Sequence, residues 1–260
     1  MLLAVGAPTS FRIVSDGAAA AHALHSDHIS TVQVTRDHFG EPAEWSAGDT
    51  QACLMLTDAA SSESARRFIA THYSSVPQSV GHDMASLVQF VAKCALNEGG
   101  LSSDDANVIV RTRLLVKGSH EGPMCPRLHY DKVALRLACT YSGEGTRWLP
   151  QTAVNVAALR RLIRPTSTDP WLKRTLVQNT RLYNAAVRWP WEAERHADAG
   201  DILLMKGSGW RRGLPRSRTS GDDGVRRAFP VLHRSPDAQG ATGASSACRA
   251  LFTVDYGGDE

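Results

Sequence analysis

Between Ser61 and Leu96 the apolar residues recur every three or four positions. SSESARRFIATHY opens with a capping-type serine followed by a glutamate. DMASLVQFVAKCAL sets Met84, Leu87, Val88, Val91 and Leu96 along one stripe. Two amphipathic helices are predicted there. After the turn-rich NEGGLSSDD the period changes. In NVIVRTRLLVKG, Val108, Val110, Thr112, Leu114 and Val116 alternate with Ile109, Arg111, Arg113 and Leu115, which predicts a strand.

HYDKVALRLACTY also alternates. His129, Asp131, Val133, Leu135, Leu137, Cys139 and Tyr141 fall on one predicted face, and Lys132, Arg136 and Thr140 on the other. An apolar face that begins with an imidazole and a carboxylate needs a partner for them, because an unpaired buried charge is expensive. Further on, SGEG reads as a turn and AVNVAALRRLI as a short helix, while TDPWLKRTLVQNTRLYNAAVRWPW has no clear period. GDILLMKG reads as an apolar strand bounded by glycines. VLHRSP, a small-residue linker DAQGATGASSA, and CRALFTVDY close the chain, the last as a strand with Arg249, Leu251, Thr253 and Asp255 on one face.

These elements predict an α+β protein. A helix-rich region over residues 1–104 packs on a β-rich, cupin-like barrel over 105–260. Within the barrel, residues 208–230 hold six arginines against two aspartates among Gly, Ser and Pro, a basic loop expected to be mobile.

Composition narrows the function classes. At 260 residues the chain supports a sizeable core, and 42% apolar residues suits a globular protein. A formal net charge of only +3 does not mark a nucleic-acid binder. No apolar run approaches the roughly 18 residues of a membrane helix. Five cysteines without a Cys-x-x-Cys pair, one necessarily left over, speak against a disulfide framework or a zinc ribbon. The opening MLLAVGAPTSFRIVSDG has no basic run ahead of its short apolar stretch. A cytoplasmic location is expected.

The candidate chemistry lies in His129, Asp131 and His233. Residues two apart on a strand project from the same surface, so His129 and Asp131 are expected side by side, and a histidine after the apolar Val231 and Leu232 completes a set. Two histidines and one carboxylate on one face of a metal leave three positions open, the arrangement of non-haem Fe(II) oxygenases. Arg249 is the candidate partner for a keto-acid carboxylate. Simpler readings stand beside these. His129 and Asp131 also suit a buried hydrogen-bonded pair, and His233 a turn residue shaped by Ser235 and Pro236. Lys206 suits a snorkelling strand end, Cys125 a small hydrophobe, and Trp148, Trp189, Trp191 and Trp210 core packing.

The runs CPRLHYDKVALRLACTYSGEGTRWLP, GDILLMKG, and HRSP followed by RALFTVD resemble a bacterial family of uncharacterised proteins, known only as a domain of unknown function, over roughly residues 105–255. The order His129, Asp131, His233, Arg249 further resembles the superfamily of Fe(II)- and 2-oxoglutarate-dependent dioxygenases. That resemblance implies a double-stranded β-helix, or jelly roll, with Fe(II) on His129, Asp131 and His233 and 2-oxoglutarate on Arg249. Two positions depart from the pattern: Leu251 stands where a serine is common, and the spacer from His233 to Arg249 is long. The alternatives are a non-catalytic protein holding zinc or another divalent ion through the same residues, and an interaction module acting through the arginine loop.

Overall fold

The fold is that of a computed structural model, which describes residues 11–24, 26, 28–36, 45–97, 108–118, 125–163, 179–188, 194–210, 230–236 and 248–257. Two β-sheets lie between helices. The larger has seven strands, in the order β1 (Phe11–Val14), β2 (Thr31–Val34), β8 (Ile202–Lys206), β5 (Leu135–Ser142), β10 (Cys248–Tyr256), β4 (Ile109–Gly118), β3 (Gly48–Met55). The smaller joins β7 (Arg195–His196), β6 (Arg147–Leu149) and β9 (Leu232–Arg234), and an isolated bridge adds His129 beside His233. From β4 onward the chain passes back and forth between the two sheets: β4, the His129 segment, β5, β6 and β7, β8, β9, β10.

The alternation of side chains explains the layers. On β5, β8 and β10 one set of residues, including Leu135, Leu137, Leu204, Phe252 and Val254, meets the helices α1 (Gly17–Leu24), α2 (Leu56–Ala60), α3 (Ser62–His72) and α4 (Gln78–Asn97) in one core. Each of those five is fully withdrawn from water, worth about 1.5–3 kcal/mol apiece. The other set, Ala138, Leu203 and Met205, packs between the sheets with Trp148, Ala197 and Val231. The outer face of the small sheet carries Leu149 and Leu232 against α5 (Val156–Ile163) and α6 (Thr180–Val187).

Ser61 caps α3 as its sequence suggests, its Oγ accepting from the Ser64 N–H. On α4, Met84, Leu87, Val88 and Val91 are buried, whereas Leu96 is 39% exposed at the last turn, off the predicted stripe. The short α2 precedes the two predicted helices, and α6 lies within the segment that has no readable period. The N-terminal region supplies β1, β2 and β3 to the large sheet as well as helices.

One predicted strand is corrected. HYDKVALRLACTY is not continuous: β5 begins at Leu135, and His129 pairs in the smaller sheet. Bends at residues 132–134 reset the alternation, so Leu135 and Leu137 face the helices while Arg136 turns toward Asp131. The six arginines of the 208–230 segment, together with Trp189 and Trp191, lie outside the described residues.

Candidate metal centre

His129 and His233 form a closed pair of main-chain hydrogen bonds. His129 N donates to the His233 carbonyl at 3.0 Å and His233 N to the His129 carbonyl at 2.8 Å. In an antiparallel ladder such a pair sends both side chains to the same side, and the two imidazole centroids stand 4.4 Å apart. Asp131, two residues on, is fixed through its own carbonyl, which accepts from Ser208 N at 2.9 Å. Glycine is required opposite it: a Cβ on Gly207 would overlap the Val133 carbonyl oxygen, and one on Gly209 would meet the Lys132 carbonyl at 2.7 Å. The glycines that bound GDILLMKG and follow it therefore let β8 run directly against the 131–134 backbone.

The ligand-type atoms of His129, Asp131 and His233 all lie within 4.8 Å of one another, the one such cluster of three found among the described residues. Each imidazole has its Nδ1 beside a main-chain carbonyl, Arg127 O at 2.8 Å for His129 and Val231 O at 3.4 Å for His233. With Nδ1–H donating, the Nε2 lone pairs are free. His233 Nε2 stands 3.2 Å from Asp131 Oδ2, yet that oxygen is buried without a hydrogen-bond donor among the described residues. Two lone-pair atoms that close are stabilised by a proton or a metal ion between them. Donors at right angles around an ion at about 2.1 Å are about 3 Å apart, so the spacing suits an N,N,O metal site.

Burial acts on His233 and Asp131 in opposite directions. Burial, then the charges of His129 and Arg136, hold the His233 imidazole well below its usual pKa, so it is neutral. Burial pushes the Asp131 carboxyl up, against the opposing pull of Arg136 and His129.

Arg136 is the residue the sequence pattern assigned to the wrong face. Its Nη1 donates to Asp131 Oδ1 at 2.7 Å, and its Nε and Nη2 donate to the two oxygens of Asp255 at 2.6 Å each. Arg136 and Asp255 are direct cross-strand partners on β5 and β10. The available signal was an arginine inside the apolar run VALRLAC, which demands a carboxylate.

Arg249 is not part of the cluster. Its Nε donates to the Glu144 carbonyl at 2.9 Å and its Nη2 to Thr146 Oγ1 at 3.4 Å, at the opposite end of β10 from Asp255. No carboxylate lies within ion-pair distance of it among the described residues, and burial draws its guanidinium down to about 10. Thr146 is two residues from Trp148, the cross-strand neighbour of His233, a step of about 7 Å along a strand. Leu251 packs against the apolar cluster between the sheets.

Lys206 is buried, donates to the Ser26 carbonyl at 2.9 Å and lies over the Trp210 ring. Cys125 is exposed, and its backbone ties to Ser235. Trp148 is fully buried between the sheets, edge-on to Phe11. A cleft of about 660 Å³ lined by Thr35, Arg36, Glu144, His196, Asp198 and Asp201 includes none of the triad. No helix among the described residues is long and apolar enough to cross a membrane.

Fold and site together define a mixed α/β protein with two facing sheets and a candidate His, Asp, His metal cluster on the smaller one. Residues 54–255 match the family described as "Protein of unknown function (DUF1826)", and the chain belongs to that family. No curated protein matches the sequence. The structure bears a distant likeness to AtDAO1, dioxygenase for auxin oxidation 1 from Arabidopsis thaliana, in a complex with 2-oxoglutarate: 11% identity, 96% of this chain and 92% of that one, TM-score 0.44. A full-length Neurospora crassa protein in complex with alpha-KG is similar at 11% identity over 75% of this chain and 46% of that one, TM-score 0.33. A bsmA homolog from Methylobium petroleophilum is similar at 13% identity over 67% and 50%, TM-score 0.30.

Proposed function

We propose that the chain is an Fe(II)- and 2-oxoglutarate-dependent oxygenase built on a double-stranded β-helix, with His129, Asp131 and His233 as metal ligands. The observation that carries the reading is the approach of one ligand-type atom from each of three residues to within 4.8 Å, beside a buried Asp131 oxygen that has no donor among the described residues. The passage of successive strands between two facing sheets supports the jelly-roll form.

Iron bound there supplies the oxidising chemistry, in which substrate R–H, 2-oxoglutarate and O₂ yield R–OH, succinate and CO₂. The protein's own residues hold and orient. The two Nδ1 contacts to main-chain carbonyls fix both imidazoles with Nε2 inward. Arg249 binds the far carboxylate of the keto acid, supported by a partly buried guanidinium that forms no ion pair among the described residues, with Thr146 supplying the hydroxyl that Leu251 lacks.

Incubation with Fe(II), ascorbate and 2-oxoglutarate is expected to release succinate, and His129→Ala to abolish it. Wild-type release no greater than that of the His129→Ala protein, with or without a panel of substrates, defeats the reading. The same donor set also suits zinc. Zinc retained on purification, with no binding of 2-oxoglutarate, favours the non-catalytic metal-binding reading instead.

A further inference from the structure

Three of the five N–H groups of Arg136 are committed, two to Asp255 and one to Asp131 Oδ1. The Asp131 carboxylate is thereby divided. Oδ1 is tied to a cation from a neighbouring strand, and Oδ2 alone, 3.2 Å from His233 Nε2, faces the histidines. A carboxylate free to rotate can offer both oxygens to a metal, and the second oxygen takes a coordination position. Oxygenase chemistry needs three positions beyond the protein ligands, two for a chelating keto acid and one for oxygen. A chelating Asp131 would leave two.

Resting on the metal site proposed above, we infer that Arg136 is a positioning residue, aligned by Asp255, that holds Asp131 to one-oxygen ligation and so keeps a coordination position free. The clasp is built into the sheet, since Asp255 and Arg136 face each other in the β10–β5 ladder. Lysine, with a single point of donation on a flexible stem, cannot answer both carboxylates in one plane. A purely structural clasp would hold β5 to β10 and leave the metal's coordination number untouched.

The test uses the full chain loaded with Co(II) for affinity and with Mn(II) for the number of bound waters, read from water-proton relaxation. In Arg136→Gln, Co(II) affinity is expected to fall about 10- to 100-fold, the usual effect of removing a group that orients a ligand. The bound-water number falls by one as Asp131 turns chelating. Asp255→Asn preserves shape and lowers both quantities less. Arg136→Lys recovers part of the affinity but not the water number. An Arg136→Gln protein with wild-type fold, affinity and water number overturns the inference. If that variant does not fold, Asp255→Asn decides, and wild-type values for it overturn the inference equally. A wild-type chain that takes up neither ion overturns the metal-site reading itself, an outcome distinct from the others.

Discussion

At one end of β10 the Arg136 guanidinium meets two carboxylates, Asp131 and Asp255, whereas at the other end Arg249 meets only a carbonyl and a hydroxyl. At the first end two carboxylates face one guanidinium, with the His233 imidazole held neutral by burial. The second is a partly buried guanidinium that forms no ion pair among the described residues, with the Glu144 carboxylate near enough only to act on it through space. A buried ion left unpaired is costly, so under the proposed function a cation at the first end and an anion at the second would each add a partner. A metal and a dicarboxylate would complete each in turn.

That contrast is open to direct attack, beginning where the effect is largest. Asp131→Ala is expected to bring the metal content of the protein, purified without chelators, from about one equivalent to background, as loss of a ligand from a three-ligand site should. Elemental analysis measures it, and undiminished metal would end the metal-centre reading. Arg249→Met should leave metal content intact and weaken 2-oxoglutarate binding about 10- to 100-fold, since a charge-assisted hydrogen bond is worth about 1.5–3 kcal/mol. Calorimetry on metal-loaded protein separates the two ends: equal loss of metal and keto acid would mean that they are not distinct.

Gly207→Ala strikes only the metal end, by pushing β8 off the Val133 carbonyl. A backbone shift there should lower metal affinity about tenfold, within the range for disturbed ligand orientation, while an anion probe of the Arg249 end is unaffected. The smallest effect belongs to Thr146→Val. Loss of one hydroxyl hydrogen bond, about 0.5–1.5 kcal/mol net, should weaken 2-oxoglutarate binding by about threefold to tenfold. Unchanged binding would remove Thr146 from the anion site and leave Arg249 standing.

Much of this arrangement was legible in the residues and some of it was not. The period-two runs at 109–118 and 248–256 and the apolar run at 202–206 are strands: burial alternates along 248–256, and 202–206 is buried on both faces, between the helical layer and the smaller sheet. His129, Asp131 and His233 could be grouped because a histidine and an aspartate near buried apolar residues require partners. The face of Arg136 was misread for a local reason: three bent residues between Asp131 and Leu135 break the register, and a shift of one exchanges every later side chain between faces. The contacts of Arg249 depend on the turn at 143–146, where Gly143 adopts φ 81° against the Arg249 backbone. No periodicity encodes that approach. The small strands β6, β7 and β9, at two or three residues each, are too short to register a period at all.

The main-chain ring joining His129 and His233 has a practical consequence. Two amide bonds set the separation of both imidazoles before any side chain or ion takes part. The pair is thus a portable unit: transplanted to facing positions of another antiparallel hairpin, it should bring its spacing along, leaving a designer to add only the acid and its guanidinium clasp.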